Sequence, residues 1–193
     1  TTANAAAVEA IGGQRDLALT VTTMADSDHT LSTNAGGSGV AKYFETNGNG
    51  FFAFTWDGDS DPDVLDPTGL GGVYLTEGGM NTGILVRLTS DLPTYLTFEV
   101  YTNAADFSTL TLPIPGGIVV AQDFFFDFAA FTPTNAGANF ASVGAIVLRN
   151  SVSVFGNDVG IDLVAAVPEP HSVLLLALGA LGVTLGWRRR RWR

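Results

Sequence analysis

Between Thr94 and Thr102 the chain alternates without a break: Leu96, Phe98 and Val100 face one way, Thr97, Glu99 and Tyr101 the other. A period of two belongs to a strand half buried against a core, and a helix cannot keep such a pattern on one face. The pattern recurs along the body. It predicts strands at Gln14–Thr23, Val40–Thr46, Phe51–Trp56, Ile84–Thr89, Ser108–Leu112, Phe124–Phe128, Val143–Arg149 and Ile161–Ala165, with shorter ones at Gly72–Thr76 and Ser151–Phe155. Gly, Asn and Pro punctuate the gaps. Asn47–Gly50 reads as a hairpin turn, because Asn and Gly tolerate positive φ. Asp26–Gly39 and Thr132–Asn139 read as loops. Residues 1–13 form an Ala-rich arm in which Ala5–Ile11 suits a helical turn or two, or a frayed end. No body segment holds a helical period, and nothing repeats at a fixed interval. The expected architecture is all-β: an antiparallel, jelly-roll-like β-sandwich over 14–166, with an up-and-down barrel as the alternative.

Charge narrows the partners. Before position 171 only Arg15, Lys42, Arg87 and Arg149 oppose 19 acidic residues, a balance of −15. Such a body is repelled by nucleic acid and by anionic headgroups, and suits cations, neutral glycans or other proteins. There is no Cys, so neither disulfides nor thiol chemistry can contribute, and the core must supply the stability. The chain opens on Thr1 without a secretion signal, so its N-terminus is expected to be processed or truncated.

The last residues differ from the rest. Pro168, Glu169 and Pro170 precede 16 uncharged residues, 172–187, and then Arg188, Arg189, Arg190, Arg191, Trp192 and Arg193. As a helix the run spans about 24 Å, slightly short of a hydrocarbon core of about 30 Å. Snorkelling Arg side chains lengthen it, and the cationic end stays cytoplasmic, leaving the body outside. A transmembrane helix over 172–187 is expected; a buried core helix is the alternative. In this order, Pro-Glu-Pro, a short apolar run and an Arg cluster resemble the PEP-CTERM sorting signal, here 167–193. The resemblance implies an exported, cell-envelope protein recognised by an exosortase-like enzyme, cut near Pro168–Pro170 and then held at the surface or released. It implies nothing about the cargo's own activity. Segments 70–76, 143–148 and 160–164 also resemble secreted jelly-roll domains found with this signal and a late strand pair of galactose-binding-like sandwiches.

Three groups of residues could carry chemistry. Asp57, Asp59, Asp61, Asp63 and Asp66 crowd five carboxylates into ten residues. Alternate oxygen ligands resemble the start of a Ca²⁺ loop. Pro62 stands where an EF-hand needs Gly, and Thr68 where it needs Glu, so an EF-hand is excluded. A Ca²⁺ site at the sandwich edge using Asp57, Asp59, Asp61 and Asp63 is one reading, and a solvated acidic loop the other. His29 is the body's one histidine and falls in an expected loop, which rules out a multi-His zinc site and leaves a Ser–His–Asp triad without its elbow motif. Glu99 and Asp127 could pair as glycosidase acids. Trp56, Tyr43, Tyr74, Tyr95 and Tyr101 could stack on sugars or simply pack.

The expectation is a non-enzymatic surface or extracellular-matrix protein with a structural or adhesive role. Its partners would be the exosortase-like enzyme, the membrane through the C-terminal helix, and extracellular polysaccharide or further copies of itself. The alternative is a carbohydrate-binding module that uses Ca²⁺.

Overall fold

In a computed structural model, which describes residues 2–6, 14–22, 29–33, 40–46, 48–152 and 154–168, the alternating segments form antiparallel strands. They are β1 (Thr2–Ala6), β2 (Gln14–Val21), β3 (His29–Ser32), β4 (Ala41–Glu45), β5 (Gly50–Trp56), β6 (Gly83–Ser90), β7 (Thr94–Tyr101), β8 (Phe107–Ile114), β9 (Ile118–Asp127), β10 (Thr132–Thr134), β11 (Ala145–Asn150) and β12 (Val159–Val167). A wide sheet runs β1-β2-β5-β11-β7-β8-β10 and a narrow one β3-β4-β12-β6-β9.

The pairings nest. β7 pairs with β8, β6 with β9, β5 with β11 and β4 with β12. Successive nested pairs fall in alternate sheets, as when one long hairpin is rolled over itself. That is the connectivity of a jelly roll. β1, β2, β3 and β10 extend the edges.

Period-two alternation decides what meets in the middle. Phe52, Phe54, Leu96, Phe98, Ile146 and Leu148 of the wide sheet face Tyr43, Ile84, Val86, Leu88 and Phe126 of the narrow one, and all are buried. Phe98 meets Phe126 edge-on at 4.7 Å between ring centroids, and Tyr43 meets Phe52 at 5.1 Å. Each such side chain contributes about 1.5–3 kcal/mol by leaving water, and edge-on rings add about 0.5–1.5 kcal/mol.

Several expectations need correcting. Asn47–Gly50 does not close a hairpin: β4 lies in the narrow sheet and β5 in the wide one. Tyr43 and Phe52 both point inward, so the chain passes from one sheet to the other between them and their rings meet across the core with planes tilted by 41°. The described part of the arm, Thr2–Ala6, is a strand zipped against Gln14–Ala18, and most of the expected helical turn at Ala5–Ile11 lies outside the described residues. The expected loop around His29 contains β3, paired with β4. β8 runs through Pro113 to Ile114. β10 covers only Phe107–Thr109, so the N–H that Pro113 lacks is missing from a side with no partner strand. Thr132–Thr134 is a strand rather than loop, whereas the described part of Ser151–Phe155 is bends and turns. Gly72–Thr76 contributes a single bridge, Val73 to Val143. Among the described residues no helix is long and apolar enough to cross a membrane; the expected transmembrane helix at 172–187 lies outside them.

Phe98→Ala should lower unfolding stability by about 3–5 kcal/mol, because the facing rings cannot collapse into the void. A fragment ending at Pro168 should melt cooperatively by circular dichroism. One ending at Asp158, which lacks β12 from the middle of the narrow sheet, should not.

Candidate functional site

The outer face of the wide sheet gathers polar groups around aromatic rings. On β7 the inward Leu96, Phe98 and Val100 leave Tyr95, Thr97, Glu99 and Tyr101 pointing out. Register brings Phe107 opposite Tyr101, Thr111 opposite Thr97, and Arg149 of β11 opposite Thr97 on the other side. Arg149 then reaches diagonally: its Nε and Nη2 donate to Glu99 Oε1 at 2.9 and 2.5 Å. The Tyr101 hydroxyl donates to Glu99 Oε2 at 2.7 Å, and its ring stacks on Phe107 with centroids 5.0 Å apart. Burial, then the bond to Glu99, pushes the Tyr101 phenol well above its usual range. Thr97 and Thr111 share a hydroxyl bond at 2.7 Å. Tyr95 lies six residues from Tyr101, about 20 Å along the strand, and is 46% exposed. The result is a face with an aromatic ring at each end and hydroxyl, carboxylate and guanidinium groups between them.

The acidic loop sits beside the Tyr101 end. The Gly144 amide donates to the Tyr101 carbonyl at 2.7 Å, and the Leu70 amide to the Gly144 carbonyl at 2.9 Å. Asp57 is 1% exposed, and both its oxygens are taken: Oδ1 by the Asp59 amide at 3.2 Å, Oδ2 by the Asp66 amide at 2.9 Å. Asp59 accepts from the Ser60 amide and Asp61 from the Asp63 amide. Asp66 accepts from the Thr68 amide and hydroxyl, which hold its carboxyl below the usual range. The loop closes so tightly that a Cβ on Gly69 would lie 2.0 Å from the Asp57 carbonyl oxygen. These carboxylates thus serve backbone amides and do not converge. Among the described residues no group of three or more His, Asp or Glu is placed to hold a metal ion.

His29 is not a solvated loop residue. Its side chain is 4% exposed and its Nε2 lies 3.2 Å from Glu45 Oε1, while the Tyr43 hydroxyl donates to Glu45 Oε2 at 2.5 Å. Burial first, then the carboxylate, pushes the Tyr43 phenol far up. Gly50 leaves room for this cluster, since a Cβ there would meet the Tyr43 oxygen at 2.7 Å. Glu99 and Asp127 are in different sheets, and Asp127 accepts from the Ala129 amide at a turn. Of the five candidate aromatics, Trp56 and Tyr43 are core, while Tyr74, Tyr95 and Tyr101 keep exposed surface. Arg149, Phe107 and Thr111 escaped sequence reasoning. Only pairing register brings them to Tyr101 and Glu99.

Residues 166–191 match the PEP-CTERM protein-sorting motif, which marks the chain as exported. Pro168 is exposed at the end of β12; Glu169, Pro170 and Arg188–Arg191 lie outside the described residues. No curated protein matches the chain. Among solved structures, it is similar to a family 11 carbohydrate-binding module from Clostridium thermocellum in complex with a β-1,3-1,4-mixed-linked tetrasaccharide, at 9% identity over 79% of this chain and 88% of that one, with a TM-score of 0.46. It is also similar to a family 29 carbohydrate-binding module, at 10% identity over 78% and 91%, TM-score 0.39. A third is PfGH50B, at 9% identity over 77% and 23%, TM-score 0.48. Likeness at this level says nothing of what this chain binds.

Asp57→Ala leaves two inward amides without a charged acceptor and should cost about 1–3 kcal/mol, whereas Asp61→Ala, at an exposed position, should stay within about 0.5 kcal/mol. Urea melts of the two variants separate these outcomes. Millimolar CaCl₂ and NaCl at equal ionic strength should shift the parent melt alike. A Ca²⁺-specific rise that is lost on removing Asp59 and Asp61 would show that the loop rearranges to hold the ion.

Proposed function

We propose that this exported protein acts as an adhesin whose sandwich holds neutral extracellular polysaccharide on the outer face of the wide sheet. In this reading the uncharged run 172–187 spans the membrane until an exosortase processes the tail. One observation carries the binding role: Tyr101 is stacked on Phe107 and hydrogen-bonded to a Glu99 already clamped by Arg149. A ring held this way loses little rotamer freedom when a sugar docks, so contact is less opposed by entropy. Fixed polar groups beside an aromatic surface supply orientation and specificity. The balance of −15 favours neutral over acidic polymers.

Self-association is the second reading. It is supported by β9, a ten-residue edge strand with neither Lys nor Pro to blunt it. A bulge weakens this support: Leu88 and Ser90 pair with Gln122 and Ile118, so the first half of β9 steps out of the ladder.

A glycan array probed with residues 1–168 should give binding to neutral polymers that does not depend on Ca²⁺. On the strongest binder, Tyr101→Ala should weaken affinity at least about tenfold, equivalent to about 1.4 kcal/mol. Phe44→Ala, on the narrow sheet, should not change it. Equal loss in both variants, or no binding to any neutral glycan, would remove the proposal.

A further inference from the structure

The sorting motif begins inside the fold. Its first matched residues, Ala166 and Val167, are the last two of β12 and pair with Ile84 and Gly83. The Thr82 amide donates to the Val167 carbonyl at 3.0 Å. No spacer therefore separates the sandwich from the tail. Only Pro168 to His171 precede the uncharged run, and four residues reach at most about 14 Å. As a helix that run spans about 24 Å against a hydrocarbon core of about 30 Å, and a short span draws its flanks into the interface.

The end of the sandwich where the chain leaves is built by the link between β5 and β6, residues 57–82. Its tip meets the exit at Thr82, and Phe128 donates its amide to the Thr82 carbonyl at 2.8 Å from the end of β9. This link exposes large apolar side chains: Val64 59%, Leu65 36%, Tyr74 51% and Met80 65%. It has no Lys or Arg, and five Asp with Glu77 lie among these apolar groups. Apolar and aromatic side chains without basic neighbours suit a zwitterionic headgroup layer and are repelled by an anionic one.

We propose that this rim rests on a zwitterionic lipid surface while the tail is in the membrane. The sandwich then stands on end, with Met80 and Tyr74 at the headgroups and Val119 and Val120 at the far end, 87% and 75% exposed. β6 separates the two ends by about 25 Å. The outer face of the wide sheet is left upright and open beside the bilayer. The inference rests on the reading that residues 172–187 enter the membrane.

The chain has no Cys, so single-Cys variants carry one label each. Full-length Met80→Cys, Tyr74→Cys and Val119→Cys, labelled with an environment-sensitive fluorophore, are reconstituted into phosphatidylcholine vesicles containing doxyl-labelled lipid. Resistance to carbonate extraction reports separately whether the tail is integrated. Expected are integrated protein, quenching at 80 and 74 several-fold above that at 119, and weaker quenching at 80 and 74 when phosphatidylglycerol is added. Integrated protein with equal quenching at all three sites overturns the rim contact alone. Stronger quenching with phosphatidylglycerol overturns the headgroup preference. Protein that carbonate extracts overturns the membrane reading, and the rim contact falls with it.

Discussion

The pairing of β12 between β4 and β6 is the contact on which the rest of the sandwich depends. Val159 and Ile161 each pair to both sides, with Tyr43 and Ala41 on β4 and with Ser90 and Leu88 on β6. Without β12 the narrow sheet divides into β3-β4 and β6-β9, and the inner faces of Tyr43 and Ile84 lose the strand between them. No disulfide can substitute, because there is no Cys. Both partners lie far from β12 in sequence, so loop-closure entropy must be overcome before this strand contributes anything, and folding is expected to be slow for a domain of this size. The same strand positions the tail. Ladder bonds reach Val167, and the motif that addresses the chain for export leaves directly from the core.

The outer face of the wide sheet depends on a second register, that of β11 between β5 and β7. Ile146 and Leu148 point inward beside Val100 and Phe98, which forces Val147 and Arg149 outward beside Glu99 and Thr97. A slip of one residue would put Arg149 in the core and Leu148 in water. Core packing therefore places the guanidinium that clamps Glu99, and Glu99 in turn fixes Tyr101. The Arg149–Glu99 pair is partly exposed and contributes little to stability. Its effect is to hold a ring and a carboxylate in one orientation.

Local pattern was legible in the sequence, and contact across the core was not. Leu96, Phe98 and Val100 announced β7 and its buried side, and Pro168–Pro170 with Arg188–Arg191 announced the sorting motif. Asn47–Gly50 misled, because a turn sequence states that the chain reverses without saying whether it stays in its sheet. His29 misled for a related reason: its neighbours are polar, and the Glu45 and Tyr43 that bury it become visible only when β3 pairs with β4. The crowded carboxylates leave a cation site and a solvated loop both open in the sequence, because the backbone amides that donate to them here leave no mark in composition. Arg149 and Phe107 were invisible as site residues, since nothing near them in sequence points to Tyr101.

The most direct measurement is a titration of isotopically labelled residues 1–168 with the strongest neutral glycan binder, followed by NMR amide shifts. Binding on the proposed face requires the shifts to gather at Tyr95–Tyr101, Phe107–Thr111 and Val147–Arg149, and to leave β4, β6 and β12 unmoved. Shifts gathered on the narrow sheet, or confined to the rim at 57–82, would contradict it.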